Sequence, residues 1–146
     1  MRTLAATLLV TALTAGCSRP APGPILYDSD ACDHCRMTIA DPRFAAQLVT
    51  RTGKRYRFDD PGCLAAFADS GRVAAVDVHS IWLNDHANPE TRVKAEDALF
   101  VVSDRIKAPM NGHMAAFASR EDAAALQSAA GGRLERWTDL RKGGGS

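Results

Sequence analysis

The positions of apolar and polar residues in the first half of the chain predict a hairpin followed by a helix. The runs "FAAQLVT" (44–50) and "KRYRF" (54–58) are strand-like, and Gly53 between them marks a turn. The next stretch, "DDPGCLAAFADSG", predicts a helix with Asp60 as its N-cap and Gly71 at its C-terminal end. We therefore expect a strand–strand–helix unit in this half.

The second half repeats the same order of elements. "ALFVVSD" and "GHMAAFA" predict two strands, and "SREDAAALQSAAGG" predicts a helix that follows Ser119 and ends at Gly131. A shift of 59 residues aligns Phe58 with Phe117, so the two halves resemble copies of one unit. Each copy alone has few large apolar residues, and we expect the two to pack against each other.

The remaining segments complete the predicted fold. "VDVHSIWL" alternates like a half-buried strand, and "LERWTDL" near the end predicts a last strand. Together the elements predict an α+β domain over 31–140, made of two small, similar strand–strand–helix(–strand) units at about 31–80 and 81–140. The final "RKGGGS" (141–146) is expected to be a flexible tail.

The N-terminal segment has the composition of an export signal. "MRTLAATLLVTALTAGC" carries one early charge, then a short apolar run, then small residues before Cys17. This pattern predicts a signal peptide over 1–16, and its end resembles a bacterial lipobox, in which the cysteine is lipidated. The alternative is plain secretion, with Cys17 incidental. The Pro-rich "SRPAPGP" that follows predicts a flexible tether over 17–30.

A lipidated exported protein is expected in the periplasm, an oxidising compartment, anchored to the membrane through its acyl chains. The residue after Cys17 is Ser18 and not an aspartate. By resemblance to Gram-negative lipoproteins, this serine favours the outer membrane.

The charges exclude one class of partner. The chain has 18 basic and 17 acidic residues, a formal net charge of +1, and no clustered basic stripe of the kind that nucleic-acid binding requires. The sequence also contains no recognisable acid–base pair, nucleophile triad or phosphate-binding loop. We therefore expect neither a nucleic-acid partner nor an enzyme activity.

The stretch "ACDHCRMTIAD" contains the most specific chemistry in the chain. If it is extended, Cys35 and Met37 point to one face of a strand with Cα atoms about 6.6 Å apart, and their sulfurs can converge on one ion. A thiolate with a thioether selects Cu(I). Zinc is disfavoured because a zinc knuckle requires two more close ligands, and the chain has no second CxxC and no HxxxH.

A second thioether source lies in "APMNGHMAAF". Met110 stands in a turn-like stretch, where packing explains it less well, and it is the better ligand candidate. Met114 is flanked by apolar residues, which favours a place in the core. Cys63 falls inside a predicted helix beside Leu64, which favours a buried structural thiol.

Two alternatives to a metal carrier remain open. Cys32 and Cys35 are placed to form a disulfide, and the protein would then be a thiol–disulfide oxidoreductase or redox sensor, or a structural lipoprotein with a static staple. A thioredoxin-like site needs the CxxC motif to open a helix, and "MTIADP", which Pro42 stops, disfavours one. With Cys17 lipidated, three cysteines remain, so at least one thiol is free.

These motifs together resemble the NosL family. The lipobox, "CDHCRM", "FDDPGCLAAF", "IWLNDHANPETRVKAEDALFVV" and "APMNGHMAAFAS" occur in that order, and the resemblance extends from Ala31 to about Arg136. It implies a periplasmic copper-chaperone lipoprotein with two similar α+β units and a Cu(I) site. The copper would pass to nitrous oxide reductase through an ABC-transporter-type maturation complex.

The resemblance also implies a ligand set. Cys35, Met37 and Met110 match the family's positions, and Cys32 belongs to the same CxxC motif. The chain reads Met-Asn-Gly where methionine is often followed directly by glycine, so His113 and Met114 are substitutes for the third ligand. Arg36 replaces a glycine that is common between the cysteine and the methionine. A homodimer around a shared site is left open.

Overall fold

The computed structural model describes residues 19–143. The predicted signal peptide, the predicted lipidation site Cys17 and the last residues of the predicted tail (144–146) lie outside this range. Of the helices in the described part, none combines the length and apolar character that crossing a bilayer requires.

The described residues form two antiparallel sheets with short helices, and the predicted α+β fold is confirmed. The first sheet has the strand order β2-β1-β3-β4, and the second has the order β6-β5-β7. The elements, in chain order, are β1 (Ala46–Thr50), β2 (Arg55–Phe58), α1 (Pro61–Asp69), a 3₁₀ turn (Ala75–Asp77), β3 (Val78–Asn84), β4 (Arg92–Lys94), β5 (Leu99–Val102), β6 (Met114–Phe117), α2 (Arg120–Ala130), β7 (Arg133–Glu135) and α3 (Trp137–Gly143).

The turn and the helix ends of each predicted strand–strand–helix unit form at the residues that the sequence indicates. Gly53 adopts φ +87° in the β1–β2 turn, a backbone region that favours glycine. Asp60 caps α1, and Ser119 caps α2 by accepting the N–H of Asp122 at 3.1 Å. Gly131 ends α2 at φ +69°.

The boundary between the units differs from the expected one near residue 80. β3 pairs with β1 along its length, and β4 pairs with β3, so both belong to the first sheet. The sheets therefore divide between Lys94 and Leu99. The predicted last strand is also shorter than expected, because Trp137 begins a helix, α3, and packs near Phe100 with 6.0 Å between ring centroids.

The expected tether (17–30) is partly folded. The side chain of Gln47 on β1 donates to the carbonyl of Gly23 at 2.8 Å and accepts its N–H at 3.0 Å. Ile25 is buried in the main core. A proline-rich sequence excludes helix and strand, but a side-chain amide can still satisfy its backbone, and here Gln47 does so. The expected tail (141–146) likewise begins inside α3, where Arg141 forms an ion pair with Asp69 at 2.7 Å.

The two units share one core. Phe58 and Phe67 of the first unit lie in the same buried cluster as Phe100 and Trp137 of the second. A second cluster forms around α2 and β5. Because this core holds the units together, the end of β2 and the start of α1 lie beside the loop before β6, where the candidate site forms.

Candidate metal centre

The CxxC motif lies in a tight loop whose two ends are joined by backbone hydrogen bonds. The N–H of Cys32 donates to the carbonyl of Met37 at 2.8 Å, and the N–H of Arg36 donates to the carbonyl of Cys32 at 3.0 Å. Arg36 has φ +69° and reverses the chain between Cys35 and Met37. The expectation that these two side chains share one face of a strand is therefore wrong.

The loop directs backbone N–H groups at the two sulfurs. Backbone N–H groups of Cys35, Asp59 and His34 lower the pKa of Cys32, and the backbone of Met37 acts in the same direction on the pKa of Cys35. Hydrogen bonds of this kind stabilise a thiolate relative to a thiol. The loop thus favours the thiolate form, which binds metals, at Cys32.

A second element brings two further ligands to the loop. Asp59 follows β2 directly, and Asp60 caps α1 by accepting the N–H of Cys63 at 2.7 Å. This cap places Cys63 in the first turn of the helix. The side-chain ligand atoms of Cys32, Cys35, Asp59 and Cys63 all lie within 4.8 Å of one another. We call these four residues the thiol cluster.

Interactions among the three thiols of the cluster favour a single thiolate. The Cys63 thiol donates to Cys32, and this bond together with the backbone donors lowers the pKa of Cys32 to about 6 against the opposing effect of burial. The same bond raises the pKa of Cys63, and burial raises the pKa of Cys35 to about 11. The cluster therefore favours the thiolate on Cys32 over Cys35 and Cys63.

Asp59 completes the cluster. It is buried, and its Oδ2 accepts the Cys35 thiol at 3.4 Å. Its Oδ1 has no hydrogen-bond partner among the described residues. A buried carboxylate oxygen without a partner is energetically costly. A bound cation, or a proton leaving a thiol, would remove that cost.

A cleft of about 250 Å³ opens above the thiol cluster. Met110 is 41% exposed, and it reaches the cleft because the second unit folds over the start of α1. Gly112 makes this close approach feasible, since a Cβ there would lie 2.7 Å from Asp60 Oδ2. The lining residues are His34, Cys35, Asp60, Gly62, Cys63, Met110 and Gly112.

The structure does not bring every predicted ligand to the cleft. Met37 is 56% exposed and is not among the lining residues. Met114 lies on β6 opposite Val102 and packs against the main core. His113 also lies outside the lining, with a buried Nδ1 that has no partner among the described residues. A larger cavity, about 570 Å³, lies beside β3 and β4 and contains no cysteine.

Sequence reasoning missed Asp59 and Cys63. A position inside a predicted helix beside Leu64 favours a structural thiol at Cys63, but the N-cap at Asp60 brings that cysteine to the cluster. The signal was present in "DDPGC", where a cap motif puts a cysteine in the first helical turn. The sequence argument against zinc also loses its basis, because the fold supplies the two ligands that the motif lacked.

One prediction concerns the backbone of the loop. Arg36 occupies a left-handed conformation that favours glycine, and its ion pair with Asp33 is long, 4.0 Å, and exposed. Arg36→Gly is therefore expected to raise the free energy of unfolding by about 0.5–1 kcal/mol. Urea denaturation tests this, with Arg43→Gly, at an ordinary backbone position, as the destabilised control. Destabilisation by Arg36→Gly would contradict it.

Comparison with known proteins shows which family and which fold the chain matches. A family model described as NosL matches residues 25–143. The solved structure of the copper chaperone NosL from Shewanella denitrificans superposes with a TM-score of 0.72 at 23% sequence identity. The match covers 85% of this chain and 98% of that one, and it establishes a shared fold. No curated protein matches the sequence.

Proposed function

The chain belongs to the NosL family, and from this premise we propose that it is a copper chaperone that binds Cu(I) at the thiol cluster. The observation that carries the proposal is the convergence of three cysteine sulfurs and Asp59 within 4.8 Å, beneath an open cleft. The family has a non-enzymatic role, as the sequence predicted. Copper is accordingly a cargo of this protein and not a catalytic cofactor.

The ligand chemistry supports Cu(I) as the cargo. Three thiolates with a thioether form a soft donor set, which suits Cu(I), and Met110 supplies a thioether at the cleft. Zinc also accepts thiolate and carboxylate ligands, but it makes little use of thioethers. The effect of replacing Met110 therefore distinguishes the two metals.

The arrangement suits transfer by ligand exchange. Cys32 is completely buried beneath the cleft, whereas Cys35 is partly exposed and Cys63 lines the cleft wall. A partner's ligands can therefore approach from the open side while Cys32 still holds the ion. The N-terminus of α1 favours the negative charge at Cys63 during this exchange.

The recipient and location follow from the family and the N-terminal signal as further parts of the proposal. The protein would act in the periplasm, anchored through a lipid on Cys17, in the outer membrane. It would deliver copper for assembly of nitrous oxide reductase through an ABC-type maturation complex. A homodimer around a shared site remains compatible with this scheme.

The alternative, a CxxC thiol–disulfide oxidoreductase or redox sensor, has less support. Its nucleophile would be Cys32, the residue with the lowest thiol pKa, and that side chain is completely buried. Moreover, Cys35 ends a turn and is followed by a backbone reversal at Arg36, whereas a thioredoxin-like motif opens a helix.

The methionines provide the test of the proposal. Met110→Leu keeps side-chain volume while removing the thioether, and we expect it to weaken Cu(I) binding by about tenfold while Zn(II) binding is unchanged. Met37→Leu is expected to weaken Cu(I) binding as well, because its long, exposed side chain is free to turn toward the cleft. Anaerobic titration against a competing chelator measures both.

The possible outcomes show which methionine binds the metal and whether the site prefers copper or zinc. Unchanged Cu(I) affinity in Met37→Leu would remove Met37 from the site, and unchanged affinity in both variants would contradict the thioether proposal. Tighter binding of Zn(II) than of Cu(I) by the wild-type protein would contradict a copper chaperone. A reversible Cys32–Cys35 disulfide with no Cu(I) retention would favour the oxidoreductase.

The pKa pattern predicts how binding depends on pH. Between the Cys32 pKa of about 6 and the Cys35 pKa of about 11, Cys32 is already a thiolate, so Cu(I) must displace protons from Cys35 and Cys63. Binding in this window should release about two protons, and affinity should fall about 100-fold for each unit by which the pH decreases. Below pH 6 the release should approach about three protons. Titration in weak buffer measures it, and release of no protons at pH 7 would contradict the thiolate ligands.

A further inference from the structure

The β1–β2 hairpin concentrates positive charge. The stretch "TRTGKRYRF" (50–58) contains four basic residues and no acidic ones. Arg51, Lys54 and Arg55 are exposed, whereas Arg57 pairs with Asp30 at 3.3 Å. The total charge of the chain, +1, conceals this local excess.

A further cation joins the hairpin from the segment after α1. Arg72 lines one depression of about 330 Å³ together with Arg51 and Lys54, and Asp77 is the one carboxylate among its lining residues. Within residues 19–143, none of Arg51, Lys54, Arg55 and Arg72 forms a salt bridge. Their charges are therefore available to an anionic partner.

An exposed apolar side chain lies beside these cations. Val76 is 72% exposed, the highest value among the exposed large apolar residues of the described part. Its carbonyl accepts a hydrogen bond from Arg51 Nε at 2.6 Å, which places it next to the basic side chains. Basic side chains around an exposed aliphatic one are typical of surfaces that rest in a bilayer interface. We call Arg51, Lys54, Arg55, Arg72 and Val76 the hairpin surface.

The N-terminal segment reaches the same surface. Arg55 Nε donates to the carbonyl of Ala21 at 2.7 Å, so the chain is attached to the hairpin four residues after Cys17. Four residues span at most about 14 Å. A lipid on Cys17 would consequently hold the hairpin surface close to the bilayer.

We propose that the hairpin surface binds the anionic headgroups of a phospholipid bilayer, with its cations at the phosphates and Val76 between the headgroups. The thiol cluster lies at the other end of β2, beyond Phe58, about 13 Å from the hairpin turn. Arg72 extends the surface toward that cluster, because its Nη1 donates to the carbonyl of Asp33 in the CxxC loop at 3.2 Å. The proposal does not depend on which metal the cysteines bind.

The test uses residues 18–146, which lack the lipidation site but keep every contact of the described part. Sedimentation with vesicles of phosphatidylglycerol and phosphatidylcholine should retain the protein, and salt should weaken the retention. Each basic residue near an anionic surface contributes about fivefold to binding, so Lys54→Glu should reduce partitioning by about tenfold or more. Val76→Ser should reduce it by a few fold.

Lys107→Glu is the matched control, because it makes the same charge change at an exposed lysine of the second unit. It should change partitioning by less than about twofold, since it lies outside the proposed surface. Equal losses in Lys54→Glu and Lys107→Glu would overturn the proposal, as would equal retention on phosphatidylcholine alone. Binding of inorganic phosphate or of a soluble acidic protein without vesicle retention would overturn it too.

Discussion

Cys63→Ser is expected to lower Cu(I) affinity by at least about 100-fold. The substitution removes one of three sulfurs that converge within 4.8 Å, and losing even an outer partner of a metal ligand weakens binding by about 10–100-fold. Serine has nearly the same shape, and its hydroxyl stays close to Cys32, so the fold should survive. Competition against a Cu(I) chelator measures the affinity, and circular dichroism verifies the fold.

Ala66→Ser on the same helix is the control, because Ala66 is exposed on α1 and is not among the residues that line the cleft. It should leave Cu(I) affinity unchanged. The interpretation of Cys63 as a structural thiol predicts a different outcome, in which Cys63→Ser lowers stability but not affinity. That outcome would remove Cys63 from the metal site.

Asp60→Ala is expected to lower the free energy of unfolding by about 2–3 kcal/mol. Asp60 is completely buried, and its carboxylate accepts two backbone N–H groups, that of Cys63 at 2.7 Å and that of Met110 at 3.1 Å. Losing the helix cap costs about 1–2 kcal/mol, and losing the second bond costs about 1 kcal/mol more. Cu(I) affinity should fall as well, because the loop that carries Met110 is released.

Ser119→Ala is the matched variant, since Ser119 caps α2 but does not bond to a second segment. Its expected cost is about 1 kcal/mol. Urea denaturation of both variants measures the difference. Equal destabilisation by the two substitutions would show that the bond between Asp60 and the Met110 loop contributes nothing.

The parts of the fold that local sequence patterns determine could be predicted. The hairpin around Gly53 and the capped helices after Asp60 and Ser119 form where expected, because their signals lie within a few residues of each structure. The division between the sheets could not be predicted. It depends on whether β3 pairs with β1, which is distant in sequence, and the periodicity of a strand does not determine its pairing partner.

The candidate site shows the same limit. Cys32 and Cys35 could be predicted from their spacing, because only two residues separate them and the chain keeps them close. Cys63 joins them only because β2 and α1 bring a distant segment to the loop, and no spacing rule records that approach. The conformation of the loop was missed for another reason. Arg36 adopts a backbone region that its residue type disfavours, and only the hydrogen bonds of the closed loop impose it.

The most direct measurement is copper K-edge X-ray absorption of the reduced protein loaded with one Cu(I). We predict a first shell made mainly of sulfur, with one sulfur fewer in Cys63→Ser. A first shell made mainly of nitrogen or oxygen, or a shell that Cys63→Ser leaves unchanged, would contradict the assignment of the thiol cluster as the copper site.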